Sequence, residues 1–198
     1  MTTSSGADLL AVTCVGLLAL QRLLELMAAR RHAAVVVAEG FHEVASGQMP
    51  FFVALHAGFL AALVVDILTR GSAWQFRSLL WAATFAGAQG LRVWCMRSLG
   101  HYWNTRIYVR AGMHLSRTGP YRRIRHPNYV AVAIELSSVP LMVGAWRTAL
   151  TFSVLNLAMM LWRIPTEERA IRQWADPADW AAYQALPRFI PRLRAAEP

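Results

Sequence analysis

Lysine is missing from this chain: all twenty basic side chains are arginine, set against eleven acidic ones. The net charge of +9 therefore cannot be softened by lysine deprotonation, and it suits carboxylates or phosphates gripped bidentately. The coding bias of a GC-rich genome accounts for the absence itself; the placement of the arginines carries the information. Cysteine is scarce too. Cys14 and Cys95 sit inside apolar runs with no second thiol nearby, which excludes a disulfide framework and a cysteine zinc site, and no metal is expected. Soluble-enzyme signatures are lacking as well: there is no Gly-x-Gly-x-x-Gly, phosphate loop, Gly-x-Ser-x-Gly or His-Glu-x-x-His. A nucleotide cofactor would need another kind of pocket. Met1 to Gly6 has no basic n-region or cleavage site, so the first apolar run is expected to be retained rather than removed as a signal.

What is present in excess is apolar surface. Hydrophobic residues make up 56% of the chain and fall in long blocks, the pattern of an all-α integral membrane protein. Five spans are expected: Leu9 to Ala29, Pro50 to Leu68, Phe76 to Met96, Pro127 to Val143 with an interruption at Pro140, and Trp146 to Ile164. Residues 1–96 then hold three N-terminal spans, and 97–198 form the region expected to carry the chemistry. Arg30 to Gln48 reads as an amphipathic surface loop with a short helix. The Gly144-Ala145 link is so short that spans four and five must form a hairpin. Whatever precedes Pro127 therefore shares a side of the membrane with whatever follows Ile164. Arg30, Arg31, the arginines from Arg97 to Arg125 and those from Arg163 to Arg194 fall on that side, against Arg70, Arg77 and Arg147 on the other. By the positive-inside rule the richer side is cytoplasmic, with the N-terminus outside and the C-terminus inside. Beyond span five, Pro165 is expected to break the helix, with Thr166 capping a new one that carries Glu167 and Glu168 in its first turn. Asp176-Pro177 opens another.

Within the spans, Arg22 and Glu25 stand three apart and suit a bundle-interior pair. His56, alone on an apolar helix, reads as a hydrogen-bonded packing residue. Arg92, one turn from Gln89, has two readings: a buried site residue, or a side chain snorkelling to the head groups.

The densest chemistry is Gly119-Pro120-Tyr121-Arg122-Arg123-Ile124-Arg125-His126-Pro127-Asn128-Tyr129, a polar ledge at a helix entrance. Before it, Arg97 to Arg125 interleaves arginines with His101, Tyr102, Trp103 and Tyr108, and Ile107-Tyr108-Val109 has extended propensity. A segment this short between two spans fits a cofactor or substrate pocket better than nucleic-acid binding. Glu167 and Glu168 at a helix start need no function to be favourable, and they are site candidates because the hairpin brings them to the ledge.

Gly119-Pro120-Tyr121, Arg125-His126-Pro127-Asn128-Tyr129, Glu167-Glu168 and Tyr183 before a Pro-Arg-rich end resemble the isoprenylcysteine carboxyl methyltransferase family, over roughly Leu91 to Arg192. Arg92-Val93-Trp94, Leu99-Gly100, Trp103-Asn104-Thr105-Arg106, Asn128-Tyr129, Glu135 and Arg163-Ile164 are similar to its bacterial branch associated with alkylpyrone and alkylresorcinol polyketides. The resemblance implies an integral-membrane enzyme using S-adenosylmethionine. Its cofactor cradle would be Tyr121, Arg125, His126, Pro127, Asn128, Tyr129, Glu167 and Glu168. Aromatic faces suit a sulfonium, and an arginine suits the cofactor carboxylate. Arg92 or Arg106 is the candidate holder of an anionic acceptor oxygen, and His126 or Glu135 the candidate base. The expected partners are a lipophilic small-molecule acceptor and membrane lipids.

Other classes stay open at this stage. Isoprenylcysteine carboxyl and phospholipid methyltransferases share the ledge. A NADPH-dependent lipid reductase would use the arginines on a 2′-phosphate. A transporter subunit would line a polar path with Gln89, Arg92 and Glu135, though no internal repeat favours it.

Overall fold

The computed structural model describes residues 5–191, and Arg192 and Arg194, counted above among the basic residues, lie outside them. Six helices account for most of the described chain: α1 (Ser5–Ala38), α2 (Met49–Arg70), α3 (Phe76–Leu99), α4 (Pro127–Met142), α5 (Trp146–Trp174) and α6 (Pro177–Gln184). Helices within Gly6–Ala38 and Ser46–Arg70 are long and apolar enough to cross a membrane. Of the other three expected spans, α3 carries Arg77, Arg92 and Arg97, and α4 is only 16 residues.

The purely helical expectation needs correction at one place. His42–Val44 (β1) pairs antiparallel with Ile107–Val109 (β2), Glu43 opposite Tyr108. The extended propensity of β2 was legible locally; its partner lay in a stretch read as loop and short helix. Ile107, Val109 and Met113 bury against Val44 and the α5 residues Ile171 and Trp174, so the ribbon is fastened by packing rather than by its few ladder bonds.

Two boundaries also differ. The first helix continues well past Ala29 to Ala38, a rod of about 51 Å, because Arg30 to Ala38 contains no glycine or proline to stop it. Pro165 does not break α5, which runs on to Trp174. A proline removes a single amide donor, here the one that would bond the Leu161 carbonyl, and the neighbouring Trp162 and Pro165 carbonyls gain bonds from the Thr166 hydroxyl and Arg169 Nε at 2.9 and 3.1 Å. Glu167 and Glu168 thus ride on the same rod as the apolar stretch. Pro140 instead lies within three residues of the end of α4. Gly144 turns the chain at φ +82°, where a Cβ would come 2.9 Å from that of Ala73, so the tight link requires glycine. Asp176 caps α6, its Oδ1 accepting from the Ala178 and Asp179 amides.

α4 lies at the centre, in contact with α3 along most of its length and with α5; it has no large exposed apolar side chain. Leu136 and Val139 from α4 join Val15 and Leu18 from α1, Phe59 and Leu63 from α2, and Phe152 from α5 in the main core. The periphery is apolar. Leu17, Leu24, Val65, Leu79, Leu80, Leu150, Leu157 and Leu161 are all more than half exposed, a surface that water penalises and hydrocarbon accepts. Trp146 and Trp162, both exposed, bracket the apolar part of α5 about 24 Å apart.

Candidate functional site

The ledge is fixed at both ends. Gly119 has φ +53°, and a Cβ there would lie 2.0 Å from Ser98 Oγ and 2.8 Å from Trp94 Nε1, so only glycine lets the loop dock on the end of α3. Pro127 is the first residue of α4, where its missing N–H costs nothing. Between them the backbone amides of Arg125 and His126 donate to the Pro187 and Arg188 carbonyls at 3.0 and 3.1 Å. The C-terminal segment is thereby strapped across the ledge.

Glu168 ties the strap. Its Oε1 accepts from Arg125 Nη1 at 2.9 Å, His126 Nε2 at 3.0 Å and Arg188 Nε at 3.1 Å, and its Oε2 from Arg188 Nη2 at 2.7 Å. Burial alone would push this carboxyl up, but the hydrogen bonds from Arg188 and His126 and the charges of Arg125 and Arg188 outweigh it and hold it below the ordinary glutamate range. The same contact raises Arg188. His126 is buried among the rings of Tyr129, Tyr183 and Phe189, with Tyr183 Oη 3.3 Å from Nε2. Burial and the Glu167 and Glu168 charges push the Tyr183 phenol up, so it stays protonated.

A cavity of about 570 Å³ opens beneath the ledge and reaches in between α1, α2 and α3. Arg92, Arg106, Tyr121, Arg125, His126, Asn128, Tyr129 and Glu167 line it; Pro127, Glu135 and Glu168 do not. Of the two acidic candidates on α5, Glu168 is therefore committed to the strap and Glu167 faces the cavity, where it accepts from Tyr129 Oη at 2.6 Å. Four buried polar atoms of lining residues have no hydrogen-bond partner among the described residues: Asn128 Oδ1, Arg125 Nε, Trp103 Nε1 and Arg92 Nη1. Orphans of this kind are costly unless something fills them.

The deep wall is ionic. Arg92 grips Glu25 in a fork, Nε to Oε1 at 2.7 Å and Nη2 to Oε2 at 2.6 Å. Arg22 donates to Glu25 at 2.5 Å and to Glu135, whose Oε2 stands 3.7 Å from Arg92 Nη1. Gln21 bridges Glu25 to Gln89. Arg92 thus does not snorkel: it is 5% exposed and joins α3 to α1 and α4. Glu135, between two guanidiniums and off the cavity, is badly placed for a base. Arg106 sits at the mouth, largely exposed, with Nη1 2.8 and 3.0 Å from the Glu43 carboxylate.

Several contacts that wall and strap the cavity were not legible in the sequence, although the sequence places Arg163 itself beside the ledge. Arg163 is buried, donating to Gln48 Oε1 at 3.0 Å and the Thr105 carbonyl at 3.2 Å. It pins the connecting loop to α5, while His32 Nδ1, near the C-terminal end of α1, donates to the Trp103 carbonyl at 2.7 Å. Their partners lie far away in sequence, so no local spacing announced them. Arg188 was visible only as part of a basic end.

Residues 81–173 match the family model of the isoprenylcysteine carboxyl methyltransferase (ICMT) family. The chain is 32% identical to the uncharacterized protein YpbQ of Bacillus subtilis over 161 residues, 81% of this chain and 96% of that one. It is also 24% identical to an uncharacterized protein of Haemophilus influenzae over 142 residues, 71% of this chain and 83% of that one.

Proposed function

Since this chain belongs to the isoprenylcysteine carboxyl methyltransferase family, a family of membrane methyltransferases, we propose that it transfers a methyl group from S-adenosylmethionine to an oxygen of a lipophilic acceptor. The observation that carries this is one continuous cavity with two chemistries: the ledge at one end, and at the other an apolar wall of Leu23, Phe52, Val53 and Leu60 beside Arg22 and Arg92. The ledge fits the cofactor by its unmet groups. Arg125 Nε offers a donor to a carboxylate, Asn128 Oδ1 and Glu167 offer acceptors to an ammonium or ribose hydroxyl, and Tyr121, Tyr129 and Tyr183 supply faces for a cation. When bound, the cofactor supplies an electrophilic methyl and leaves as a neutral thioether. The protein's part is alignment and exclusion of water. Pro127 sets the ledge, Arg163 and His32 hold the loop that walls the cavity, and the Glu168 strap covers it.

For the acceptor, the Trp103-Asn104-Thr105-Arg106 and Arg163-Ile164 pairings favour a long-chain alkylpyrone or alkylresorcinol, with Arg92 or Arg106 facing its anionic oxygen. The family's own description favours a carboxylate acceptor as the second reading. Both present an oily tail and an acidic oxygen, matching the walls. The five helices α1 to α5 would span the membrane with the N-terminus outside and the cavity mouth facing the cytoplasm, the orientation that the arginine asymmetry favours.

Calorimetric titration of the detergent-purified protein with S-adenosylhomocysteine and with NADPH tests the cofactor. Binding of the first alone, weakened about tenfold or more by Asn128→Ala and by Glu167→Gln, is expected; binding of NADPH alone would replace methyl transfer with a reductase reading. Transfer of radiolabel from the cofactor to an alkylpyrone or to a farnesylcysteine analogue then separates the two acceptors.

A further inference from the structure

Two polar side chains interrupt the apolar end of the cavity. His56 on α2 and Asn156 on α5 both line it, in the company of Val53, Leu60 and Val132. The two helices run antiparallel: Gln48 Oε1 meets Arg163 Nη1 at 3.0 Å, the Phe59 and Phe152 ring centroids lie 5.5 Å apart, and Thr148 Oγ1 donates to Asp66 Oδ2 at 2.9 Å. His56 stands eight residues past Gln48, and Asn156 seven before Arg163. Each therefore lies about 10 to 12 Å beyond the Gln48–Arg163 contact, at one depth on neighbouring helices.

Both side chains are incompletely bonded. His56 Nδ1 donates to the Phe52 carbonyl at 2.9 Å, which leaves Nε2 as the bare lone pair of a neutral ring, and no described residue bonds to it. Asn156 is 3% exposed, and its Nδ2 has the Met160 Sδ, a weak acceptor, at 3.3 Å. Its second Nδ2 hydrogen and its Oδ1 have no partner among the described residues. Neither His56 Nε2 nor Asn156 Oδ1 is sealed inside the protein as the Ser138 hydroxyl is, so both open onto the cavity they line. Unmet polar atoms in an apolar span cost stability, and such residues mark sites where a ligand completes them.

The group that completes this set is a hydroxyl. It can donate to Nε2 and accept from the spare Nδ2 hydrogen. A ketone would leave Nε2 unmet, a methylene would leave both atoms unmet, and a carboxylate would face two bare acceptors. Taking the acceptor from the methyl-transfer reading, on which this step rests, we propose that His56 and Asn156 form a second polar subsite. It takes a hydroxyl carried on the acceptor's hydrocarbon tail, roughly 10 Å deeper than Arg163. The acceptor class is then a lipid with a hydroxylated tail, and the subsite sets how far along the tail that hydroxyl stands.

The test is calorimetric binding, without cofactor, of alkylresorcinols of one chain length whose tail hydroxyl is moved carbon by carbon, with plain-tail and keto-tail versions beside them. In wild type one position, or two adjacent ones, should bind about tenfold tighter than the plain tail, and the keto version no tighter than the plain one. His56→Phe and Asn156→Leu should each remove that optimum while leaving plain-tail and S-adenosylhomocysteine affinities unchanged. Neither should lower the unfolding temperature, because each replaces an unmet polar group by an apolar one. No binding by any member, a hydroxyl effect equal at every position, an optimum that survives in both variants, or a keto tail as tight as the hydroxylated one would overturn the subsite. Variants that unfold earlier and no longer hold S-adenosylhomocysteine would mark the two side chains as packing residues and overturn it as well. Wild-type protein that shows the optimum yet transfers no label from S-adenosylmethionine would keep the subsite and remove the methyl-transfer reading.

Discussion

At the scale of single residues, the least replaceable groups are charges held where water is scarce. Glu25 is shared by Arg22 and Arg92 and is only 7% exposed. Removing one member of such a set strands its partner, which costs about 3 kcal/mol or more, whereas removing both members of a pair is far cheaper. Arg92→Leu and Glu25→Leu should each lower unfolding stability in detergent by that order, and the double variant by clearly less than the two together. Strict additivity in a thermal or chemical unfolding series would show that the fork contributes nothing. Arg106 has the same charge but rests at the surface on Glu43, where an ion pair contributes about 0–1 kcal/mol. Burial separates the two arginines.

At the scale of elements, the strap is the part whose hold depends on solution conditions. Pro187 and Arg188 are held by two backbone bonds and by the Glu168 fork. Because the folded carboxyl of Glu168 titrates below its ordinary range, its contribution is complete above the unfolded value. It is lost only as pH falls through the lower folded one. Protection of the Arg125 and His126 amides from hydrogen exchange, taken relative to the intrinsic rate at each pH, should thus be high at neutral pH and fall in acid below the usual glutamate range. In Glu168→Gln the protection should be low already at neutral pH. Slow exchange in the variant would assign the strap to packing by Phe189 and Tyr183 instead. α5 matters in the same way: had Pro165 broken it, Glu167 and Glu168 would not share one rod with Arg163.

At the scale of the whole molecule, topology is open to a direct check. With Cys14 and Cys95 replaced by alanine, cysteines introduced by Gln75→Cys and Arg117→Cys, both exposed, should react with an impermeant thiol reagent from opposite faces of the membrane. Reaction of both from one face would break the placement of α3 across the bilayer. Much of this architecture was readable in advance, because its causes are local. A bilayer demands runs of apolar residues, Gly144 can be read as a tight link, Asp176 as a cap, and the ledge as a cluster, all from neighbours in sequence. The pairing of Arg22 with Glu25 needed only a helical turn. What no spacing contained were the contacts between distant segments: β1 with β2, Arg163 with Gln48, Glu168 with Arg188, and Arg92 with Glu25. Which of two equivalent glutamates clasps a strap and which faces the cavity is decided by where the helix that carries them docks. That docking is a sum of many packing contacts across the chain, and single residues encode only their own share of it.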